Sequence, residues 1–173
     1  MICISAGHHP TKPGACYNGF CEHDEAMRWV SKIAELLGDD RCVIVPPAPL
    51  KTKVEFINAR SPVIAAEIHF NSDEKRAGNG CLTLHHPESE KGKKLARLIQ
   101  DNMEQIFTRH WNGVMEGWYR MNKDYGPDFI LAKTKCPTVI IEPEFIHNKE
   151  LILKNRDVCC SAIAEALASY LEG

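Results

Sequence analysis

Apolar residues fall into short runs separated by glycine, proline and charge, and the period of each run predicts an element. Ile2 to Ala6 is a short apolar strand, and His8 to Cys21 is a loop rich in Gly and Pro. From Glu22 to Leu37, Ala26, Val30, Ile33 and Leu37 recur at helical spacing on one face. Gly38 stands where a helix end favours glycine. Cys42 to Val45 predicts a strand stopped by Pro46-Pro47, and Val54 to Ala59 a short helix. Val63 to Phe70 and Gly80 to His85 predict two further strands. Ser89 to Thr108 reads as the longest central helix, with Leu95, Leu98, Ile99 and Ile106 turned inward. Trp111 to Lys123 is aromatic and irregular, and reads as a surface loop. Phe129 to Ala132 predicts a short strand and Val139 to Glu142 the last and most buried one. Asn148 can cap a turn of helix, and Arg156 to Leu171 closes the chain as a helix.

This alternation predicts an α/β fold: a mixed, mostly parallel central sheet of about six strands with helices on both faces. At 173 residues, with no internal repeat and no linker, the chain is expected to form one domain over 1–173 and to act as a monomer.

Charge removes some classes of function. A net charge of −2 and a pI near 6.4 give no general pull toward nucleic acid or an anionic membrane. No apolar run approaches the ~20 residues of a membrane helix, so membrane insertion is not expected. Met1 to His8 has no basic segment and too short an apolar run for a signal peptide. Synthesis in the cytoplasm without export by the usual route is the expectation. Eight cysteines invite a disulfide or zinc-cluster reading, but none stand as Cys-x-x-Cys. Free buried thiols are expected. Cys16 and Cys21, flanking the glycine loop before Glu22, are the exception: they either pair or sit near a metal.

Candidate chemistry gathers at strand ends. Thr138-Val-Ile-Ile-Glu142 delivers a carboxylate to the end of a buried strand, where it is costly without a partner or a task. His8 follows Gly7 at the end of the first strand, and His69 ends Ala65-Ala-Glu-Ile-His69. In parallel α/β sheets the site lies beyond the carboxyl ends of the strands, so His8, His69 and Glu142 are expected to converge. Glu22, at the start of the first helix, is by itself explained by the helix dipole, and His23 competes with it as a ligand. His9 is expected to line the cleft. Strand alternation puts Glu67 on the side of His69, and Glu144 on the side of Glu142 if that strand persists. Adjacent His85 and His86 point to opposite faces and are not expected to share an ion. Two imidazoles and a carboxylate, with a second carboxylate nearby, are the parts of a catalytic zinc site.

The ordered set resembles a known family. His8 in Ala6-Gly7-His8, Pro13-Gly14-Ala15, Glu22, Ile68-His69-Phe70-Asn71-Ser72 and Val139-Ile-Ile-Glu142 follow the order of zinc-dependent N-acetylmuramoyl-L-alanine amidases of the His-Glu-His branch, amidase-3. Gly78 to Cys81, Lys94 to Ile99, and Phe145 to Asn148 with Glu150 look like that family too. The resemblance implies Zn2+ held by His8, Glu22 and His69, with Glu142 as the catalytic carboxylate. It implies peptidoglycan as substrate, cut between N-acetylmuramic acid and the first alanine of the stem peptide. A phage-type lysis enzyme, reaching the wall after membrane permeabilisation, is the expected context.

His9-Pro10, Glu67 and Pro143-Glu144 depart from the family's small or apolar residues. His9, Glu67, Asn71 and Glu144 are therefore candidates for substrate contact, with Glu67 or Glu144 either meeting an amine of the stem or orienting a ligand histidine. Trp111, Trp118 and Tyr119 either stack on sugar or anchor a loop. Two alternatives stay open: a zinc carboxypeptidase or deacylase acting on another amide, and a non-catalytic wall-binding or regulatory module on the same scaffold.

Overall fold

The computed structural model describes residues 1–119 and 122–173, the side chains of Trp111, Asn112 and Tyr125 excepted. The reading of Trp111 as a sugar platform thus lies outside the described residues. The elements, in chain order, are β1 (Ile2–Ala6), β2 (Cys16–Tyr17), β3 (Phe20–Cys21), α1 (Glu22–Leu37), β4 (Cys42–Ile44), α2 (Leu50–Arg60) and β5 (Ile64–Ile68). They continue with β6 (Cys81–His85), α3 (Glu90–Met103), β7 (Arg109–Glu116), α4 (Phe129–Lys133), β8 (Thr138–Glu142) and α5 (Lys149–Glu172).

Six strands form one sheet in the order β4-β1-β5-β8-β6-β7. β4, β1, β5 and β8 pair in parallel, β6 runs antiparallel to β8, and β7 follows β6 in parallel. The mixed, mostly parallel α/β sheet expected from the alternation is the observed one. β1, β5 and β8 are buried on both faces, which is why they read as unbroken apolar runs. Along β1, Ile2 and Ile4 join the core under α1, α3 and α5, while Cys3 joins the opposite core under α2 and α4. Helices thus cover both faces. Among the described residues, no helix is long and apolar enough to cross a membrane.

Four elements differ from expectation. The start of the segment read as a loop, residues 111–116, belongs instead to the edge strand β7, which runs from Arg109 to Glu116. Its register slips: Cys81 faces Arg109 but Thr83 faces Val114, and Gly113 has φ +59°. Such a bulge erases the two-residue period. Phe129 to Lys133 is a helix, not a strand, capped by Asp128, whose carboxylate accepts from the Ile130 amide at 3.2 Å. Five residues are too few to show a period. The closing helix starts at Lys149, directly after Asn148, and is longer than α3. A hairpin, β2–β3, occupies the glycine loop, turning at Asn18 and Gly19, both at positive φ. Asn-Gly between two short extended pairs is a strong hairpin signal that the loop reading passed over. A disulfide joins Cys16 to Cys21 across this hairpin, so the paired alternative holds, while Cys3, Cys42, Cys81, Cys136, Cys159 and Cys160 are free.

Candidate active site

β1, β5 and β8 are adjacent and parallel, so their carboxyl ends open onto one edge of the sheet. The ladder continues one step past the strands: the Gly7 amide donates to Ile68 O at 2.7 Å and the His69 amide to Ile141 O at 2.8 Å. His8, His69 and Glu142 therefore leave three neighbouring strands at the same level. His8 sits at φ +58°, a left-handed conformation that costs a non-glycine residue of order 1–3 kcal/mol. It turns the chain out of β1 while keeping the imidazole over the sheet edge.

Glu22 comes from the other side, as the first residue of α1. It is 4% exposed, and both its oxygens are committed. Oε1 lies 2.8 Å from His69 Nδ1 and accepts from the Phe70 amide at 3.2 Å. Oε2 lies 3.0 Å from His8 Nε2 and accepts from the Ala15 amide at 3.2 Å. Two glycines make room for this packing. A Cβ on Gly7 would lie 2.5 Å from the His69 ring; one on Gly14, at φ +78°, would lie 2.4 Å from Glu22 Oε2.

One donor atom from each of His8, Glu22 and His69 lies within 4.8 Å of the others, the one such cluster among the described residues. Ligand bonds of about 2.0–2.2 Å to nitrogen and oxygen fit inside that span. Two imidazoles and a carboxylate suit a divalent transition metal.

The electrostatics agree with a site built for a cation. Burial would push the Glu22 carboxyl up, but hydrogen bonds and charge from His69 and His8 outweigh it and hold it far below the ordinary range. Burial would push His69 down, but hydrogen bonds to Glu22 and Glu67 outweigh it and raise the imidazole well above its usual value. Glu142 behaves in the opposite way. Its Oε2 is buried with no hydrogen-bond partner. Burial pushes its carboxyl up to about 7; Glu22 and Asp128 add to this and His69 opposes it. A carboxylate poised near neutrality, beside a candidate cation site, has the properties of a general base and acid.

The remaining candidates separate. His23 lies outside the His8, Glu22 and His69 cluster: its Nδ1 is bonded to Gly7 O at 2.8 Å and it is 2% exposed. His9 stands at the loop surface, bonded to Thr11 Oγ1 at 3.0 Å. Asn71 accepts from the Ser72 amide at 2.8 Å and pairs its backbone with Phe145, shaping a turn. Glu67 turns inward. It is 2% exposed, with Oε1 2.9 Å from His69 Nε2 and Oε2 accepting from Ser5 Oγ and Lys53 Nζ. Glu144 turns inward as well. It is fully buried, and its carboxylate accepts from the amides of Gly80 and Phe145 and from Asn148 Nδ2. Both carboxylates, expected as candidates for substrate contact, are placed inside the protein, with their oxygens engaged by protein groups. His85 Nδ1 lies 2.8 Å from His86 O, and His86 Nδ1 accepts from the Glu88 amide at 3.1 Å.

The sequence model of a family described as N-acetylmuramoyl-L-alanine amidase (Amidase_3) matches residues 2–171. The chain belongs to that family.

It is an N-acetylmuramoyl-L-alanine amidase, a peptidoglycan hydrolase, and its His-Glu-His cluster points to a metal ion. The fold is similar to that of an N-acetylmuramoyl-L-alanine amidase from Clostridium difficile 630, with TM-score 0.84, 20% identity, and 99% of this chain and 96% of that one covered. It is equally similar to AmiC2 of Nostoc punctiforme, at 0.84 and 20%, covering 99% and 97%. The catalytic domain of the CD27L endolysin targeting Clostridia Difficile superposes at 0.71 with 24% identity, covering 99% and 96%. No curated protein sequence matches that of the amidase.

Two residues of the amidase's site were not anticipated. Lys53, 2% exposed, donates to Glu67 and to Ala6 O. In sequence it is one of two lysines in Lys51-Thr52-Lys53 and looks like helix surface. Asp128 caps α4 close enough to raise the Glu142 carboxyl. Its place after Pro127 signals a helix cap, but nothing in the sequence ties it to residue 142.

Proposed function

We propose that the amidase holds zinc with His8, Glu22 and His69 and uses Glu142 as the proton carrier in cleaving the amide between N-acetylmuramic acid and L-alanine. The observation that carries this reading is the unpartnered, buried Glu142 Oε2 at the sheet edge that also presents the His-Glu-His cluster. Zinc, when bound, supplies a Lewis acid that acidifies a water and polarises the amide carbonyl. Glu142 removes the proton of the attacking water. It then returns that proton to the alanine nitrogen, without which the amine is a poor leaving group. Its raised proton affinity suits both halves of this cycle near pH 7. Glu22, saturated by hydrogen bonds, stays ionised and cannot replace it.

The substrate puts the place of action at the cell wall. Cell lysis is the role we assign, supported by the fold shared with an endolysin catalytic domain. Digestion of purified peptidoglycan tests the chemistry. The expected product is an intact stem peptide with a new alanine amino terminus, absent with Glu142→Gln. Cuts within the stem, or full activity of that variant, would refute the reading.

A further inference from the structure

The strand that carries His69 also buries an ion pair behind it. Glu67 and His69 lie two residues apart at the end of β5. Both oxygens of Glu67 are used. His69 Nε2–H donates to Oε1 at 2.9 Å; Ser5 Oγ and Lys53 Nζ donate to Oε2 at 3.0 and 2.9 Å. Lys53 also donates to the Ala6 carbonyl, tying α2 to the end of β1. Lys53 and Glu67 are each 2% exposed.

Stability alone is a poor reason for this arrangement. Taking two charges out of water costs several kcal/mol per ion, and well-packed apolar residues usually do as well or better. What the pair does deliver is a fixed imidazole. With Nε2 donating to a carboxylate, the other nitrogen, Nδ1, is left to face Glu22 Oε1 at 2.8 Å. A carboxylate behind a ligand histidine orients the ring, selects its tautomer and raises its basicity. Lys53 cancels the charge that Glu67 brings, so the support strengthens the ligand without leaving an unpaired anion in the core.

We infer that Lys53 and Glu67, with Ser5, are positioning residues that hold His69 as an Nδ1 donor and set the affinity of the site for its metal. This rests on the reading of His8, Glu22 and His69 as zinc ligands.

The test is a zinc titration of the metal-free full chain against a chromophoric chelator of known affinity. The variants are Lys53→Met/Glu67→Gln, Glu67→Gln and His69→Ala. The double variant removes both charges together and leaves no buried ion unpaired. It is expected to bind zinc roughly 10–100-fold more weakly than wild type. Its metal-free melting temperature is expected to equal or exceed that of wild type. Affinity falling while stability holds is not the pattern of a merely structural pair. Glu67→Gln keeps an acceptor for Nε2–H but loses the charge, and is expected to weaken binding by a smaller factor; it serves alone if the double variant does not fold. Wild-type zinc affinity in either variant overturns the inference while leaving the metal site intact. Failure of the parent chain to bind zinc, or unchanged binding by His69→Ala, overturns the metal reading itself and the inference with it.

Discussion

Replacing Glu142 with Gln should make the metal-free amidase more stable while removing its activity. The carboxyl rises from an ordinary 4.5 to about 7 on folding, mainly because burial disfavours its charge. At about 1.4 kcal/mol per pH unit, this amounts to about 3 kcal/mol. The sign follows from the direction of the shift. Below pH 4.5 the acid is protonated folded and unfolded, and wild type incurs no cost. Between 4.5 and 7 the unfolded chain ionises while the folded one does not, so stability falls. Above about 7 the whole cost is present. Gln is nearly isosteric, carries no charge, and has no such dependence.

The assay is thermal unfolding of both proteins in the presence of a chelator, from pH 4.5 to 8.5. Near pH 4.5 the two should melt together. At pH 8 the variant should melt higher by roughly 6–12 °C, given the ~2–4 °C per kcal/mol typical of a chain this long. His69, Glu22 and Glu67 titrate in both proteins, so the difference between the curves isolates residue 142. In parallel, the metal-loaded variant should lose about 10²–10⁴-fold in kcat, the usual share of a proton-transferring group. Melting curves that stay parallel over the whole range, or a variant less stable at pH 8, would refute the claim that Glu142 is held at a cost for its chemistry.

Other outcomes follow from the same geometry. Because His69 in the metal-free protein is raised well above its usual value, a metal must displace its proton, so zinc affinity should increase with pH across 6 to 8; a flat profile in competition titrations would contradict this. The stability that His69 contributes without metal is complete below about 6.5 and is lost as pH rises through its higher folded value. Gly14→Ala places a Cβ against Glu22 Oε2 and the His8 ring at a positive φ, so zinc content and activity should fall together; full metal occupancy would contradict it. Opening the Cys16–Cys21 bridge, five residues apart, with Cys16→Ser/Cys21→Ser should cost about 2 kcal/mol by loop-closure entropy, read as a lower melting temperature than the oxidised parent.

What the sequence disclosed follows from where the chain is buried. β1, β5 and β8 are covered on both faces, so their apolar runs are continuous, and their ends named His8, His69 and Glu142 without knowledge of the sheet order. Glu22 was explicable by the helix dipole alone, and only the ordered set with the other three raised it to a ligand. Elements at the rim were less legible. β7 lost its period to a bulge, and α4 is too short to have one. The first two turns of α5 carry Lys149, Glu150, Lys154, Asn155 and Arg156, with Ile152 as the buried anchor, so only a turn of helix after Asn148 was legible there and its continuity with the closing helix was not.

Glu142 and Glu144 show the physical limit most clearly. They are two residues apart, follow the same buried strand, and are chemically identical in the sequence. Glu144 is answered by the amide of Gly80, 64 positions away, and by Asn148, so its charge is fully spent inside the protein. Glu142 meets no donor for Oε2, and its neighbours Glu22 and Asp128 make ionisation harder. Local pattern locates a carboxylate at a strand end, but only the donors brought by distant segments decide whether it is structural or reactive. Lys53 makes the same decision for Glu67, taking up one of its oxygens and leaving the other for His69. Among Glu67, Glu142 and Glu144, Glu142 alone keeps a buried oxygen without a hydrogen-bond partner, which is the observation behind the proton-carrying role proposed for it.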